Sequence, residues 1–155
     1  LAYQLETLRR LGAEAVRVSC RREAPYREFG AELVYDGWTN LGPLAGLKAA
    51  LEACASPLLL GLAVDLPAMT AGYLRKVLAQ CAPGRGVVPV RASGWEPLAA
   101  CYPRAALAVA RAMLLSGTVA VRQFAGVCVS SGLAQPLPVR PSEEARFRNW
   151  NHPRD

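Results

Sequence analysis

The residues from Leu58 to Val64 are all apolar and show no period-2 alternation. A strand with that pattern buries both faces, as a central strand of a parallel sheet covered by helices does. The run ends on Asp65, and Pro67 then stops any ladder from continuing because proline has no N–H to donate. Elsewhere the spacing becomes helical. Leu1, Leu5, Leu8 and Leu11 share one stripe, with Gly12 placed to end it. Leu44, Leu47, Leu51 and Cys54 form a second stripe, with Pro43 in its first turn, where a missing N–H is tolerated. Thr70 caps a third helix, whose apolar face is Leu74, Val77, Leu78 and Cys81. A fourth opens at Pro103 and runs to about Leu115, and a shorter helical piece leads from Gly117 towards Phe124.

Between these helices lie strand candidates at Ala15–Ser19, Glu32–Tyr35, Gly86–Val90 and Trp95–Tyr102, with short ones at Val127–Val129 and Leu137–Val139. Helices and strands that alternate with short connections predict an α/β domain of three layers, a mostly parallel sheet with helices on both faces. The 155 residues contain no repeat and no linker, so the expectation is a single domain over 1–155, long enough to bury a core.

Composition narrows the classes. With 52% hydrophobic and 19% charged residues the chain is globular rather than disordered. No apolar run approaches the ~20 residues of a membrane helix, so no membrane association is expected. The formal charge of +6 suits an anionic ligand. The arginines are dispersed and aromatics few, however, which argues against nucleic acid. The five cysteines, Cys20, Cys54, Cys81, Cys101 and Cys128, are odd in number and show no CxxC spacing. That argues against a metal cluster or a disulfide framework and makes a reducing cytoplasm the expected compartment.

The chemistry-bearing positions come at strand ends. Glu32–Tyr35 delivers Asp36, and the long apolar strand delivers Asp65. In open α/β sheets ligands bind beyond the carboxyl ends of strands, where a carboxylate can hold a hard divalent ion and, through it, phosphates. The plainer role for each is a cap or a turn residue. Gly42-Pro43-Leu44-Ala45-Gly46 opens the second helix. Glycines there let a ligand approach the backbone N–H groups at the positive end of the dipole, although a Gly-Pro turn also serves as simple punctuation.

Taken in order, strand-Asp36, Gly42-Pro43-Leu44-Ala45-Gly46, Ala63-Val64-Asp65-Leu66-Pro67, Glu96-Pro97-Leu98-Ala99-Ala100-Cys101-Tyr102 and Asn149-Trp150-Asn151-His152-Pro153 resemble the molybdenum cofactor guanylyltransferase family, nucleotidyltransferases with a Rossmann-like fold. The resemblance covers nearly the whole chain. The Gly-Pro-Leu-Ala-Gly and Asp-Leu-Pro blocks are shared with related nucleotidyltransferases. The Asn-x-Asn-x-Pro block is more particular to the guanylyl branch, with His152 at a position usually Thr. The resemblance implies transfer of GMP from GTP to molybdenum-bearing molybdopterin with release of pyrophosphate. It implies a magnesium cofactor on Asp65, nucleotide contacts from Ser19, Asp36, Gly42, Gly46 and Asp65, and a pterin-side role for Asn149 and Asn151 at the end of the last strand. It also implies transient contact with other molybdenum cofactor proteins.

One departure stands out. The family's N-terminal strand and Gly-rich phosphate loop, with its Arg and Lys, have no counterpart in residues 1–155, and Lys48 and Lys76 sit inside helices that match nothing in that loop. The expectation is that the strand and loop precede Leu1 in the working enzyme. The alternatives are a cytidylyltransferase or other nucleotidyltransferase of the same fold, or a non-catalytic nucleotide-binding module without the loop.

Overall fold

Residues Leu58–Leu62 form a strand, β3, whose alternate side chains enter two different cores. Leu58, Leu60 and Leu62 pack against a cluster that includes Leu66, Met69, Tyr73, Leu74 and Val77. Leu59 packs against the other, which includes Leu44, Leu51, Tyr102 and Phe124. That is why the strand shows no polar alternation: each face meets helices. The computed structural model describes residues 1–22, 24–37 and 42–149. Before β3 come α1 (Ala2–Arg9), β1 (Arg17–Cys20), β2 (Glu32–Tyr35) and α2 (Gly42–Ala53). After it come α3 (Ala71–Ala79), β4 (Gly86–Arg91), β5 (Gly94–Trp95), β6 (Ala99–Pro103), α4 (Ala106–Leu115), α5 (Val121–Ser130) and β7 (Ala134–Pro138). Short 3₁₀ segments occupy Arg27–Phe29 and Pro141–Phe147. Among the described residues no helix is long and apolar enough to cross a membrane.

The α/β layering matches the expectation, but the main sheet is not mostly parallel: three of its four ladders are antiparallel. β1 and β2 form a parallel pair of their own. In the five-stranded sheet β3 pairs with β6 antiparallel, β6 and β5 pair with β4 antiparallel, and β7 pairs with β4 parallel. Val87 pairs with both Cys101 and Gln135, so β6 and β7 lie on opposite edges of β4. β3 has one ladder partner among the described residues rather than two. Among those residues its other edge is unpaired.

Three local expectations change for physical reasons. The segment Trp95–Tyr102 is two strands, because Pro97 cannot donate to a ladder. The Glu96 N–H bonds Pro89 O at 2.9 Å, and the Tyr102 hydroxyl donates to Pro97 O at 2.9 Å across the break. Val127–Val129 belongs to the last turns of α5. The spacing of Val121, Phe124, Ala125 and Cys128 is helical, and burial of the last three outweighs the β preference of the valines. Asn149 follows a 3₁₀ segment, not a strand.

That segment is anchored by charge and by one ring. Phe147 is buried edge-on against Tyr73 with ring centroids 5.4 Å apart. Glu143 receives the Lys76 ammonium at 2.8 Å, and Glu144 receives Arg91 at 2.6 Å. Burial pushes the Glu143 carboxyl up, but Lys76 and the Arg140 N–H outweigh it and hold the carboxyl below its ordinary range. Lys76 is therefore engaged in tying the chain end to α3.

The closest backbone approach in the sheet is at Gly86. A Cβ there would stand 2.0 Å from Cys101 O, a backbone atom that cannot move without breaking the β4–β6 register. Gly86→Ala should cost on the order of 3 kcal/mol or more. Thermal unfolding checks this, and a melting temperature within a degree or two of the parent would contradict the packing described.

Candidate active site

Helix α2 packs on β1, β2 and β3 together, so it spans both sheets. Its buried residues, Leu44, Ala45, Leu47, Ala49 and Leu51, lie on more than one face because there is protein on more than one side. Beside it, between β1 and β3, lies a cavity of about 930 Å³. The lining reflects strand geometry. From β1 the cavity receives Arg17 and Ser19, alternate residues on one face. From β3 it receives all five residues, as expected when a strand presents an open edge rather than a face.

The sequence-predicted residues meet here. Ser19, Asp36, Gly42, Gly46 and Asp65, from four separate segments, all line this cavity. Ser19 is held close to α2: a Cβ on Gly46 would stand 2.8 Å from its Oγ, so glycine at 46 lets the strand end and the helix start touch. Gly42 has φ +66°, a left-handed conformation that glycine adopts without steric cost, and it starts α2. The first turn of α2 carries no acidic side chain, so the positive end of its dipole is not neutralised from within the helix.

Asp36 is fixed by its backbone N–H, which bonds Cys20 O at 3.3 Å and extends the β1–β2 ladder by one residue. Its Oδ1 is buried and has no hydrogen-bond partner among the described residues. A carboxylate oxygen removed from water without a donor is costly, which makes a ligand donor in the cavity a natural partner. Nearby, burial and then the Asp36 charge push the Cys20 thiol up. Asp65 is half-buried in the turn after β3. Side chains of α1 brace the chain that follows: the buried Gln4 Nε2 donates to Leu66 O at 3.3 Å, and the Tyr3 hydroxyl donates to Met69 O at 3.1 Å. At the other end of the cavity Ser56 donates to the Glu14 carboxylate in a short hydrogen bond.

Other predicted positions lie elsewhere. Asn149 is exposed and does not line the cavity. Asn151 is outside the described residues. Lys48 pairs with Glu52 at 2.7 Å one turn on and is not in the lining. The cavity also takes Arg17, Arg21, Cys54 and Cys101, which the sequence argument did not single out. The signal for Arg21 was present in its position directly after the β1 end. All five cysteines are free. No group of three or more His, Cys, Asp or Glu able to hold a metal occurs among the described residues.

Residues 1–128 match the family described as MobA-like NTP transferase domain. The chain is 37% identical over 155 residues to a probable molybdenum cofactor guanylyltransferase of Opitutus terrae, spanning 98% of this chain and 77% of that one. Among solved structures, a protein of Aquifex aeolicus superposes with TM-score 0.82 at 16% identity over 97% of this chain and 78% of its own. Molybdopterin-guanine dinucleotide biosynthesis protein A of Archaeoglobus fulgidus superposes with TM-score 0.67 at 23% identity over 88% and 72%. At those identities the superpositions speak to the fold alone.

The Ser19–Gly46 contact gives a prediction. The atom a new methyl would strike is a hydroxyl that can rotate, and alanine suits a helix better than glycine. Gly46→Ala should therefore change stability by less than about 1 kcal/mol while turning Ser19 Oγ away from its present direction. The check is a melting curve beside a nucleoside triphosphate titration, with the melt near that of the parent and affinity several-fold weaker. Unchanged affinity would separate Ser19 from the ligand.

Proposed function

The chain belongs to the MobA-like NTP transferase domain family, and on that premise we propose that it works as a molybdenum cofactor guanylyltransferase. It transfers GMP from GTP to molybdenum-bearing molybdopterin, forming the guanine dinucleotide form of the cofactor and releasing pyrophosphate. The observation that carries this reading is the convergence of Ser19, Asp36, Gly42, Gly46 and Asp65 on one cavity of about 930 Å³.

In the proposed reaction a phosphate oxygen of the pterin attacks the α-phosphorus of GTP, and the bond to the departing pyrophosphate breaks. Such chemistry asks little covalent help of a protein and much positioning and charge compensation. Gly42 and Gly46 leave room for a phosphate or ribose to approach the first turn of α2, whose N–H groups favour negative charge. The unpartnered Oδ1 of Asp36 suits a ligand hydrogen, from guanine N–H or from a ribose hydroxyl. Ser19 offers a hydroxyl beside it.

Magnesium fits the donor set. Asp65 lines the cavity with a carboxylate, and magnesium is ordinarily held by one or two carboxylates plus substrate phosphates and water rather than by a dedicated protein cage. We assign Asp65 to it. A bound magnesium ion would neutralise charge on the phosphate oxygens. Asp65 would hold that ion at the β3 end, with α1 holding the following turn in place.

The proposal extends to the open edges. β1 and β3 each lack a ladder partner on the cavity side among the described residues. Edge strands carry backbone N–H and C=O groups outside any ladder, and the N–H groups there add donors for phosphate. On the pterin side we place Asn149 and Asn151. We further propose a cytoplasmic setting, with which the five free thiols accord, and transient contact with proteins that supply and receive the cofactor.

Nucleotide consumption tests the function. With the full-length protein, magnesium and molybdopterin, GTP should be converted to pyrophosphate far faster than CTP or ATP, and preference for CTP would move the chain to the cytidylyl branch. Asp65→Asn should fold normally and lose about 10²–10³ in transfer rate, since metal charge stabilisation is worth several kcal/mol at ~1.4 kcal/mol per decade. Near-normal turnover would remove Asp65 from the site. Asn149→Ala and Asn151→Ala should weaken molybdopterin binding more than GTP binding. Equal losses in separate titrations would withdraw the pterin-side assignment.

A further inference from the structure

Among the described residues the charges that line the cavity are Glu14, Arg17, Arg21, Asp36 and Asp65, three carboxylates against two guanidiniums. A nucleoside triphosphate adds several more negative charges to that space. Compensation on the protein side must therefore come from groups still available to a ligand. Arg17 already has a carboxylate partner, its Nε lying 2.9 Å from Glu32 on the neighbouring strand, in an ion pair without hydrogen-bond geometry. Arg22 does not line the cavity, and its guanidinium lies over the Tyr35 ring, 5.3 Å from the ring centre. Arg21 differs from both. It is exposed, it lines the cavity, and among the described residues its guanidinium has no ion pair or side-chain hydrogen bond.

Its place in the fold is set by the ladder. Arg21 directly follows Cys20, whose carbonyl accepts the Asp36 N–H, so Arg21 and Asp36 leave their parallel strands at the same end. The first turn of α2 reaches the same cavity at Gly42 and Pro43 with no acidic side chain of its own. A free guanidinium and the positive end of a 12-residue helix thus meet in one space that also holds the unpartnered Asp36 oxygen. The two positive features suit phosphate, and the carboxylate suits the sugar or base. A guanidinium grips phosphate through paired N–H groups in a fixed fork, which an ammonium cannot reproduce.

We propose that Arg21 is a phosphate-binding residue of the nucleotide site, holding the triphosphate of the incoming nucleotide through its guanidinium. This rests on the reading of the cavity as a nucleoside triphosphate site. The residue acts on binding and orientation of the triphosphate, leaving the acceptor side untouched.

The test is a titration of the full-length protein with GTP, and with guanosine in competition, for the parent, Arg21→Ala and Arg21→Lys. Arg21 is exposed, so neither substitution should disturb folding, and a melting curve confirms it. Arg21→Ala should weaken GTP roughly ten- to a hundredfold, the equivalent of one lost charge-assisted contact. Guanosine should bind the parent and the variant alike. Arg21→Lys should recover part of the loss, because charge returns without the fork. Unchanged GTP affinity in Arg21→Ala, or equal-fold losses for GTP and guanosine, would overturn the assignment of Arg21. Failure of the parent protein itself to bind GTP would instead overturn the reading of the cavity, and this assignment with it.

Discussion

The separation of β1 from β3 by a cavity, with α2 laid across both, is the constraint on which the rest of the structure depends. Two strands with open edges face one space, and the residues at their ends are carboxylates, a hydroxyl and an arginine. Closing that interval with apolar side chains would be the ordinary way to finish a core. Here the cavity instead takes polar groups, including an Asp36 oxygen with no hydrogen-bond partner among the described residues. An arrangement that leaves one buried carboxylate oxygen unsatisfied is held in place by surrounding packing, and that packing is present. Leu44 and Leu51 of α2 are fully buried, each worth about 1.5–3 kcal/mol, and they fix the helix whose first turn faces the site.

The chain separates holding from binding. Lys76, Arg91, Arg111 and Arg17 are all paired with carboxylates, on α3, β4, α4 and β1. Those pairs tie elements together: Lys76 and Arg91 anchor the Pro141–Phe147 segment, and Arg111 with Lys48 brackets Glu52 between α4 and α2. The formal charge of +6 thus says little about ligand affinity until each cation is traced to its partner. What counts at the cavity is the small remainder, together with backbone groups at the start of α2.

Most of the architecture was legible in the sequence because helical stripes such as Leu44, Leu47 and Leu51 report burial directly. The end-of-strand positions of Asp36 and Asp65 were legible for a related reason, since an apolar run that stops at a carboxylate marks where a strand leaves the core. Ladder direction was not legible. The apolar run at Leu58–Leu62 reports only that both faces are covered, which an antiparallel strand between two helical layers satisfies equally well. Val127–Val129 misled because β-branched residues signal a strand locally, while Phe124 and Cys128 on the same turn-spaced face decide the helix. Arg21 was hidden among neighbouring arginines. Only the partners of Arg17 and Arg22 reveal which of the three is available.

The most direct measurement of the central claim is a crystal structure of the full-length protein with GTP and magnesium. The account predicts the nucleotide in the cavity between β1 and β3, with Asp36 within hydrogen-bond reach of the base or ribose and Asp65 at the metal beside the phosphates. A nucleotide bound on another face, with Asp36 and Asp65 both out of its reach, would contradict it.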